Sequence, residues 1–375
     1  MKCTWWRSAA VGAVMILPLP LDAQDEWQAA HPDYAWSFPR DHWAHHDYRT
    51  EWWYFTGVLA DTADSGRRFG YQFTFFRVGL TPDTLPYRSA WAQRSLIMGH
   101  AAITDLATGH HVFSEVLYRP TGLLGAFGEP GDSIIAWSLP PPGTSGRWTL
   151  TWNDQAFDFS ARDDAQRVGL TLSTTPTTPR VFQGPNGFSR KGEGTTAASL
   201  YYSFTRLATT GTVTIDGETV TVRGESWMDQ EFGSNQMGAD QVGWDWFSLR
   251  LSDGRDVMLY SLRNDKGVDY ARATVVSSGG VRYLDSSGWS LATARSWTST
   301  VTGARYPAGW ILQMPEEALD VEIVPLVAGQ ENVARLVPGL FYWEGVVEVR
   351  DRSGARLGEG YVELTGYGTR TRPAI

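Results

Sequence analysis

The sequence of 375 residues is almost free of cysteine, since Cys3 is the single one present. A chain with one cysteine forms no internal disulfide, and it cannot build a metal site from several thiolates. Positive charge is also scarce: 32 Lys and Arg stand against 41 Asp and Glu, for a formal net charge of −9. An acidic chain without a basic run is a poor candidate for binding nucleic acid.

Motifs of several common enzyme classes are missing as well. The Gly-x-Ser sequences at 187–189 and 224–226 both lack the closing glycine of a nucleophile elbow, so a serine hydrolase is not supported. Neither a phosphate-binding loop nor a dinucleotide fingerprint occurs. The sequence therefore predicts neither a cofactor nor a metal.

Apolar runs long enough to span a bilayer are absent too. The run from Ala9 to Leu19 follows Lys2 and Arg7 and precedes Ala23, and it is shorter than the ~20 residues of a spanning helix. A basic start, a short apolar core and a small residue before the cut are typical of a secretory signal peptide. We therefore expect cleavage of residues 1–23 and a periplasmic or secreted protein with no transmembrane segment in its mature form.

Aromatic side chains are abundant, with 18 Trp, 15 Tyr and 16 Phe. Such a number of rings suits concave apolar sites that hold a ligand. Many of the rings lie in a stretch that occurs twice, as EWWYFTGVLADTADSGRRFGYQFTFFR at 51–77 and as the weaker copy GWDWFSLRLSDGRDVMLYSLR at 243–263. Each copy has two aromatic-rich strands around a polar, Gly-containing turn, which is typical of a β-hairpin. Because the copies lie about half the chain apart, they predict two related domains.

The rest of the chain reads as short strands separated by turn signals, of which Asp216-Gly217 is the clearest. We therefore predict an all-β protein with two antiparallel β-barrels in tandem, related by an internal duplication. The first barrel, with an N-terminal arm, would cover 24–224 and the second 225–375, with 227–241 running between them. A barrel of about eight strands encloses room for one small ligand.

Alternation along the hairpins indicates which carboxylates are buried. Asp245 shares a strand face with Phe247, and the same parity places Glu51 with Trp53. A carboxylate beside aromatic rings has a raised pKa and can act as a general acid. The alternative is a carboxylate tied to an arginine, and Arg49 is the candidate partner of Glu51.

The segment 226–232 offers two more carboxylates, because Asp229 and Glu231 fall on one side of an extended chain. Two such groups can divide acid and base roles, although solvated strand edges carry the same spacing. The candidate catalytic residues are Asp229, Glu231, Asp245 and Glu51. The candidate ligand-binding residues are Trp52, Trp53, Tyr54, His46, His100, Trp227, Trp244, Trp246 and Tyr260.

Histidines form one further cluster, in which His42, His45 and His46 lie beside two aspartates. Their spacing matches no tight ligand template, which favours a hydrogen-bonded loop over a metal site. His100 stands in an apolar strand, where it is either a satisfied core histidine or part of a cavity wall.

The sequence resembles a known family from about residue 38 to 368. The blocks that carry the resemblance are HHDYRTEWWYFTGVL, FGYQFTFFR, QGPNGFSRKG, SLYYSF, ESWMDQEFGS, GWDWFSLRLSDGRDVMLY, YWEGVV and GYVELTGYG. They are similar to the AttH-like proteins, secreted bacterial proteins related to carotenoid 1,2-hydratase (hydroxyneurosporene synthase). The resemblance implies two lipocalin-like barrels, an isoprenoid or other lipidic ligand, and an ABC-type export system as a partner.

Two functions follow from this resemblance. The first is a binding protein for an apolar isoprenoid or lipid, whose carboxylates would be paired with arginine or backbone. The alternative is a cofactor-independent hydratase (a hydro-lyase), in which an unpaired carboxylic acid protonates an isoprenoid double bond and aromatic rings stabilise the cation. Gln230 and Phe232 depart from the residues that relatives often have there, which weakens the hydratase assignment. A third function, a secreted hydrolase, rests only on the family's naming.

Overall fold

The structure, a computed structural model, describes residues 26–86, 88–194 and 197–368, so the predicted signal peptide at 1–23 lies outside the described residues. Strands dominate the described chain. Its helical elements are three 3₁₀ turns of three residues each: Arg40–His42, Pro185–Gly187 and Pro315–Glu317. In this part of the chain, no helix has the length and apolar character needed to cross a membrane.

The first sheet has thirteen strands and forms barrel 1, which is nearly closed. Its strands are β1 (Thr50–Asp61), β2 (Arg68–Gly79), β3 (Ser95–Asp105), β4 (His111–Tyr118), β5 (Gly125–Phe127), β6 (Ile134–Ser138), β7 (Trp148–Trp152), β8 (Phe157–Asp163), β9 (Val168–Pro176), β10 (Val181–Phe182), β11 (Phe188–Arg190), β12 (Ala198–Ile215) and β13 (Glu218–Asn235). They pair in the order β4, β3, β2, β1, β13, β12, β9, β8, β7, β6, β5, and the short strands β10 and β11 both pair with β12.

The second sheet has ten strands and forms barrel 2, a half-barrel. The remaining strands of the chain are β14 (Gly243–Leu251), β15 (Asp256–Asn264), β16 (Gly267–Ser277), β17 (Gly280–Asp285), β18 (Ser290–Thr293), β19 (Ser296–Thr298), β20 (Arg305–Pro307), β21 (Trp310–Met314), β22 (Leu319–Pro325), β23 (Glu331–Val333), β24 (Phe341–Asp351) and β25 (Arg356–Thr365). The order in barrel 2 is β17, β16, β15, β14, β25, β24, β22, β21, β18, with β23 beside β24, while β19 and β20 pair separately.

The two sheets have the same topology. In each, the repeated hairpin pairs with the last hairpin of its barrel, giving the neighbours β2, β1, β13, β12 in barrel 1 and β15, β14, β25, β24 in barrel 2. An antiparallel sheet whose first and last strands pair curls into a barrel. The predicted all-β fold with two antiparallel barrels in tandem, which the family resemblance implied to be lipocalin-like, is confirmed.

Inward-facing rings fill the barrels. Trp53, Phe55 and Trp148 belong to the core of barrel 1, and Phe247 and Trp310 to the core of barrel 2, all of them at most 1% exposed. A pocket lined by Ala101, Trp148 and Leu170 of barrel 1 has a volume of about 10 Å³, roughly what one water molecule requires. Packing of large rings leaves this pocket too small for the ligand that a barrel of this size was expected to enclose.

The β12–β13 hairpin confirms one prediction and corrects another. Asp216 and Gly217 form the expected tight turn, with φ of 51° and 80°. Strand β13 then continues through Gly224 to Asn235, pairing with β1. A Cβ at position 224 would lie 2.2 Å from the carbonyl oxygen of Val58, so glycine here permits the close approach of two strands and does not end one. The chain leaves the first sheet after Asn235, later than the predicted boundary at 224, and residues 225–235 belong to barrel 1.

Candidate functional site

The aromatic cavity of this protein lies between the barrels. In barrel 1 the cavity is bounded by the outer face of strands β2, β1, β13 and β12, and in barrel 2 by that of β15, β14, β25 and β24. These faces pack together in a cluster that includes Tyr54 and Tyr201 of barrel 1 and Trp246 and Tyr260 of barrel 2. The cavity has a volume of about 90 Å³, several times the ~10–15 Å³ that one water requires. Its lining residues are Trp52, Tyr54, Gln72, Thr74, Phe76, Lys191, Tyr201, Asp229, Glu231, Gln236, Met237, Trp244, Trp246, Tyr260, Leu262, Tyr342, Glu344 and Glu363.

The walls come from the outward-facing side chains of the two repeated hairpins. Trp52 and Tyr54 alternate with the core residues of β1, and Trp244 and Trp246 do the same in β14. The ring of Tyr54 meets that of Trp246 edge-on at 5.2 Å between centroids. These four residues and Tyr260 were predicted to bind a ligand, and the structure brings all five together at the cavity.

Asp229 is one of the carboxylates in this cavity and is 2% exposed. It accepts hydrogen bonds from the Tyr201 hydroxyl at 2.8 Å, the Ser203 hydroxyl at 2.5 Å and the Trp227 indole at 2.7 Å. In the described part of the chain it has no ion pair. Burial raises the pKa of Asp229 to about 7, against the opposing effect of these three hydrogen bonds.

Glu231, two residues along the same strand face, has a different environment. It forms an ion pair with Lys191 at 2.6 Å and accepts a hydrogen bond from the Ser199 hydroxyl at 2.5 Å. Lys191 also lies over the ring of Tyr260, with its Nζ 4.4 Å from the centroid. Of the two carboxylates predicted on β13, only Asp229 is left without a cation.

Barrel 2 contributes two further carboxylates, Glu344 and Glu363, which lie opposite each other on β24 and β25. Glu344 accepts hydrogen bonds from the Tyr54 hydroxyl and, at 3.0 Å, from the Asn332 amide. Burial and then the charge of Glu363 raise the pKa of Glu344 well above its usual range. Burial raises the pKa of Glu363 to about 7, opposed by a hydrogen bond from the Trp244 indole. Among the described residues neither has an ion-pair partner, so the pair retains a proton at neutral pH.

The carboxylates occupy equivalent places in the two halves. Tyr54 lies opposite Asp229 in barrel 1, and its counterpart Trp246 lies opposite Glu363 in barrel 2. The duplication thus places Asp229 and Glu363 on the outer faces of their barrels, where both line the cavity. Barrel 1 adds Glu231 and barrel 2 adds Glu344.

Two predicted catalytic residues lie elsewhere. Asp245 is buried at the end of the barrel 2 core, where Arg263 binds it at 3.0 Å and Tyr367 donates to it at 2.9 Å. Burial raises the pKa of Asp245, and the charge of Arg263 opposes that rise. Neither Asp245 nor Glu51 lines the cavity, because their strand parity points them into the barrels and away from the interface.

Glu51 has the structural role that was considered as an alternative. His45 binds it at 2.7 Å and Arg77 at 3.4 Å, so the partner is Arg77, opposite it on β2, and not Arg49. Burial alone would raise the pKa of Glu51, but His45 and Arg77 hold it below its usual range. Gln230 also donates to Glu51, at 2.9 Å, so the residue that departs from the family pattern faces the inside of barrel 1.

The other predicted ligand-binding residues are outside the cavity wall. Trp53 is in the core of barrel 1, and the exposed His46 lies beside Phe127. Trp227 lies behind the wall, as a donor to Asp229. His100 bonds to the hydroxyl of the lining residue Tyr342 at 2.7 Å, and burial lowers its pKa to about 3.

Two histidines of the predicted cluster, His42 and His45, are held by hydrogen bonds, as the sequence indicated. His42 bonds to Tyr202 at 2.6 Å, and His45 lies between Glu51 and Asp41. Within the described ranges, no group of three or more His, Cys, Asp or Glu side chains is arranged to hold a metal ion. This cluster ties the N-terminal arm to barrel 1.

Sequence reasoning missed Lys191, Glu344 and Glu363. All three lie inside blocks that carried the family resemblance, QGPNGFSRKG, YWEGVV and GYVELTGYG. Strand parity was a usable signal, because Glu344 alternates with Trp343 and Gly345 and so faces away from the core. What no pattern provided was the partner surface that buries it.

Comparisons with known proteins agree with this architecture. A model of the AttH-like family matches residues 29–367. A crystal structure of a Nitrosomonas europaea protein described as AttH is 32% identical, with a TM-score of 0.77 over 91% of this chain and 99% of that chain. Kievitone hydratase from Nectria haematococca shares the fold at 16% identity, with a TM-score of 0.64 over 92% of this chain and 95% of that chain. No curated protein matches the sequence significantly.

The two tandem lipocalin-like barrels, with a carboxylate-bearing aromatic cavity between them, define the class to which the protein belongs. The match over nearly the whole described chain identifies the particular family within that class: the chain belongs to the AttH-like family.

Proposed function

We propose that the protein is a cofactor-independent hydratase that adds water to a carbon–carbon double bond of an isoprenoid or similar apolar substrate. The observation that carries this proposal is the set of three carboxyl groups without ion pairs in the described chain, the buried Asp229 and Glu344 and the partly buried Glu363, in an aromatic-walled cavity with room for water. A carrier would call for carboxylates neutralised by arginine or backbone. Among the described residues that line this cavity, Glu231 is the one carboxylate with a cationic partner, Lys191.

The Glu344–Glu363 pair is suited to act as the general acid. Two neighbouring carboxyl groups in a buried site cannot both ionise easily, so the pair holds a proton at neutral pH. In the proposed reaction the pair gives this proton to the less substituted alkene carbon, and the positive charge develops on the more substituted carbon. The faces of Trp244, Trp246 and Tyr54 stabilise that cation, each by ~0.5–2 kcal/mol.

Asp229 is suited to act as the general base. Its three neutral hydrogen-bond donors stabilise the carboxylate form without neutralising it, and its pKa of about 7 matches the working range of a base. Water adds to the cation through its oxygen and loses a proton to Asp229, which gives the tertiary alcohol. The proton then returns to the Glu344–Glu363 pair through solvent, so the net reaction is alkene plus water to alcohol.

The fold comparison supports the same class of reaction. One solved neighbour of this chain is named as a hydratase, kievitone hydratase, and the sequence itself resembles the family of carotenoid 1,2-hydratase. The departures at Gln230 and Phe232 bear less on the reaction than they did from sequence alone, because Gln230 faces Glu51 and Tyr202 inside barrel 1. Phe232 packs on His45 in the N-terminal arm.

The test is hydration of a small isoprenoid with a terminal trisubstituted double bond, such as citronellol. In H₂¹⁸O the tertiary alcohol should carry ¹⁸O, and in D₂O the adjacent carbon should gain one deuterium. Asp229→Asn should abolish most of this turnover, whereas Glu225→Gln, on the same strand but outside the cavity, should keep it. Recovery of unchanged isoprenoid from a protein that binds it would instead favour the carrier function.

That carrier function is the second candidate, and the apolar walls of the cavity favour it. We also propose that the protein acts in the periplasm or outside the cell after removal of residues 1–23, with an ABC-type exporter as its partner. Intact mass of the protein from its host's periplasmic fraction tests the first of these points.

A further inference from the structure

Two properties of the interbarrel cavity suit a ligand that is positively charged as well as apolar. Its walls include the indole rings of three Trp and the phenol rings of four Tyr, and the faces of such rings attract cations. It also holds three carboxyl groups that, in the described chain, have no ion-pair partner. Among the described residues that line it, Lys191 is the single basic side chain, and Glu231 binds it at 2.6 Å.

An independent observation indicates an unfilled contact. Gln72 lines the cavity and is 1% exposed, and its amide nitrogen donates to Thr74. Within the described residues its Oε1 atom has no hydrogen-bond partner. A buried carbonyl oxygen without a partner costs ~1–3 kcal/mol, so a ligand that brings a donor to Gln72 recovers that energy.

We infer that the cavity is a binding site for small organic ammonium cations, in which the cationic head lies against the Trp and Tyr faces and a hydroxyl or N–H of the ligand donates to Gln72. This inference rests on the proposed function in one respect: such a cation is a stable counterpart of the carbocation formed during hydration, and it should therefore inhibit that reaction. Binding itself requires no turnover.

A matched pair of probes isolates the charge. Choline and 3,3-dimethylbutan-1-ol have the same shape and the same hydroxyl group, and they differ in that a quaternary nitrogen replaces a quaternary carbon. Titration calorimetry and Trp fluorescence should show choline binding at least ~10-fold more tightly than the alcohol. Equal affinities would overturn the inference, since shape and hydroxyl would then account for all the binding.

Variants locate the site. Replacing both Glu344 and Glu363 by Gln should lower the affinity for choline and so narrow its preference over the alcohol, while leaving the affinity for the alcohol unchanged. Glu225→Gln, outside the cavity, should bind choline as the wild type does, and circular dichroism should show that all variants are folded. Tight choline binding that survives the double substitution would place the cation elsewhere and overturn the assignment.

Failure of this inference differs from failure of the proposed function. If choline binds tightly but no isoprenoid is hydrated, the cation site stands and the hydratase proposal falls. If isoprenoid is hydrated and choline at saturating concentration neither binds nor inhibits, the hydratase stands and the cation site falls.

Discussion

Each half of the cavity contains a carboxylate at the same position of the repeat, and the two carboxylates have different surroundings. Asp229 in barrel 1 and Glu363 in barrel 2 are equivalent through the duplication, but their cross-strand neighbours differ. Ser203 lies opposite Asp229 and donates to it at 2.5 Å, whereas the acidic Glu344 lies opposite Glu363. A donor neighbour favours the charged form and an acidic neighbour favours the protonated form. This difference in the cross-strand neighbour, together with the further donors Tyr201 and Trp227 of Asp229, fits one half of the cavity to accept a proton and the other half to give one.

The largest effect on catalysis is expected from removing the acid or base groups of one half of the cavity. We expect Asp229→Asn, or the double replacement of Glu344 and Glu363 by Gln, to lower kcat by ~10²–10⁴-fold, because each removes one partner of acid–base catalysis. KM should change little. Isoprenoid hydration followed by gas chromatography measures both constants. Glu225→Gln is the matched control, since Glu225 lies on the same strand as Asp229 but outside the cavity, and a loss as large as that of Asp229→Asn would contradict these roles.

A second prediction compares cavity carboxylates with those inside the barrels. Glu51→Gln should lower the free energy of unfolding by ~3–5 kcal/mol at pH 7, because it leaves buried Arg77 without its anion. The pKa of Glu51 is held low in the folded protein, so its contribution is present above the usual carboxyl pKa and is lost as the pH falls. Urea denaturation should therefore show a smaller difference at about pH 3. Asp229→Asn, by contrast, should not destabilise the protein at pH 7, since Asp229 is buried without a cation.

The pH profile sharpens the comparison further. Asp229 must be ionised to act, so kcat/KM should fall ~10-fold per pH unit below about pH 7. The acid pair must keep its proton, so activity should also fall at higher pH. Glu344→Ser places at this position the residue type that lies opposite Asp229 in barrel 1. It should move the alkaline limb to lower pH, because Glu363 then loses the acidic neighbour with which it shares a proton. An alkaline limb that does not move would assign the acid to another group.

The smallest expected effect concerns the joint between the halves. Arg68 of barrel 1 binds Glu359 of barrel 2 at 3.1 Å, and both side chains are partly exposed. Arg68→Ala should cost only ~0.2–1 kcal/mol, less in high salt, because exposed ion pairs contribute little. Thermal unfolding at two salt concentrations measures this. A larger loss would mean that ion pairs, and not the aromatic cluster around Trp246, hold the barrels together.

The sequence by itself determined the all-β class, the two related barrels and the aromatic hairpin of each, because strand alternation and turn chemistry are local properties of the chain. The Asp216-Gly217 turn and the core row headed by Phe247 followed from such patterns. So did the choice of Asp229, Trp244 and Trp246 as candidate residues, which the structure places in one cavity, whereas Asp245 and Glu51 were chosen by the same reasoning and lie inside the barrels.

Only the tertiary structure decided where the site is and which carboxylates it contains. Outward-facing rings on β1 and β14 have the same pattern whether they face solvent or another barrel, and the contact between barrels joins residues as far apart in sequence as Tyr54 and Glu344. The pKa of a carboxyl group depends on what surrounds it in space. For that reason Glu344 and Glu363 became visible only once the two outer faces were packed against each other.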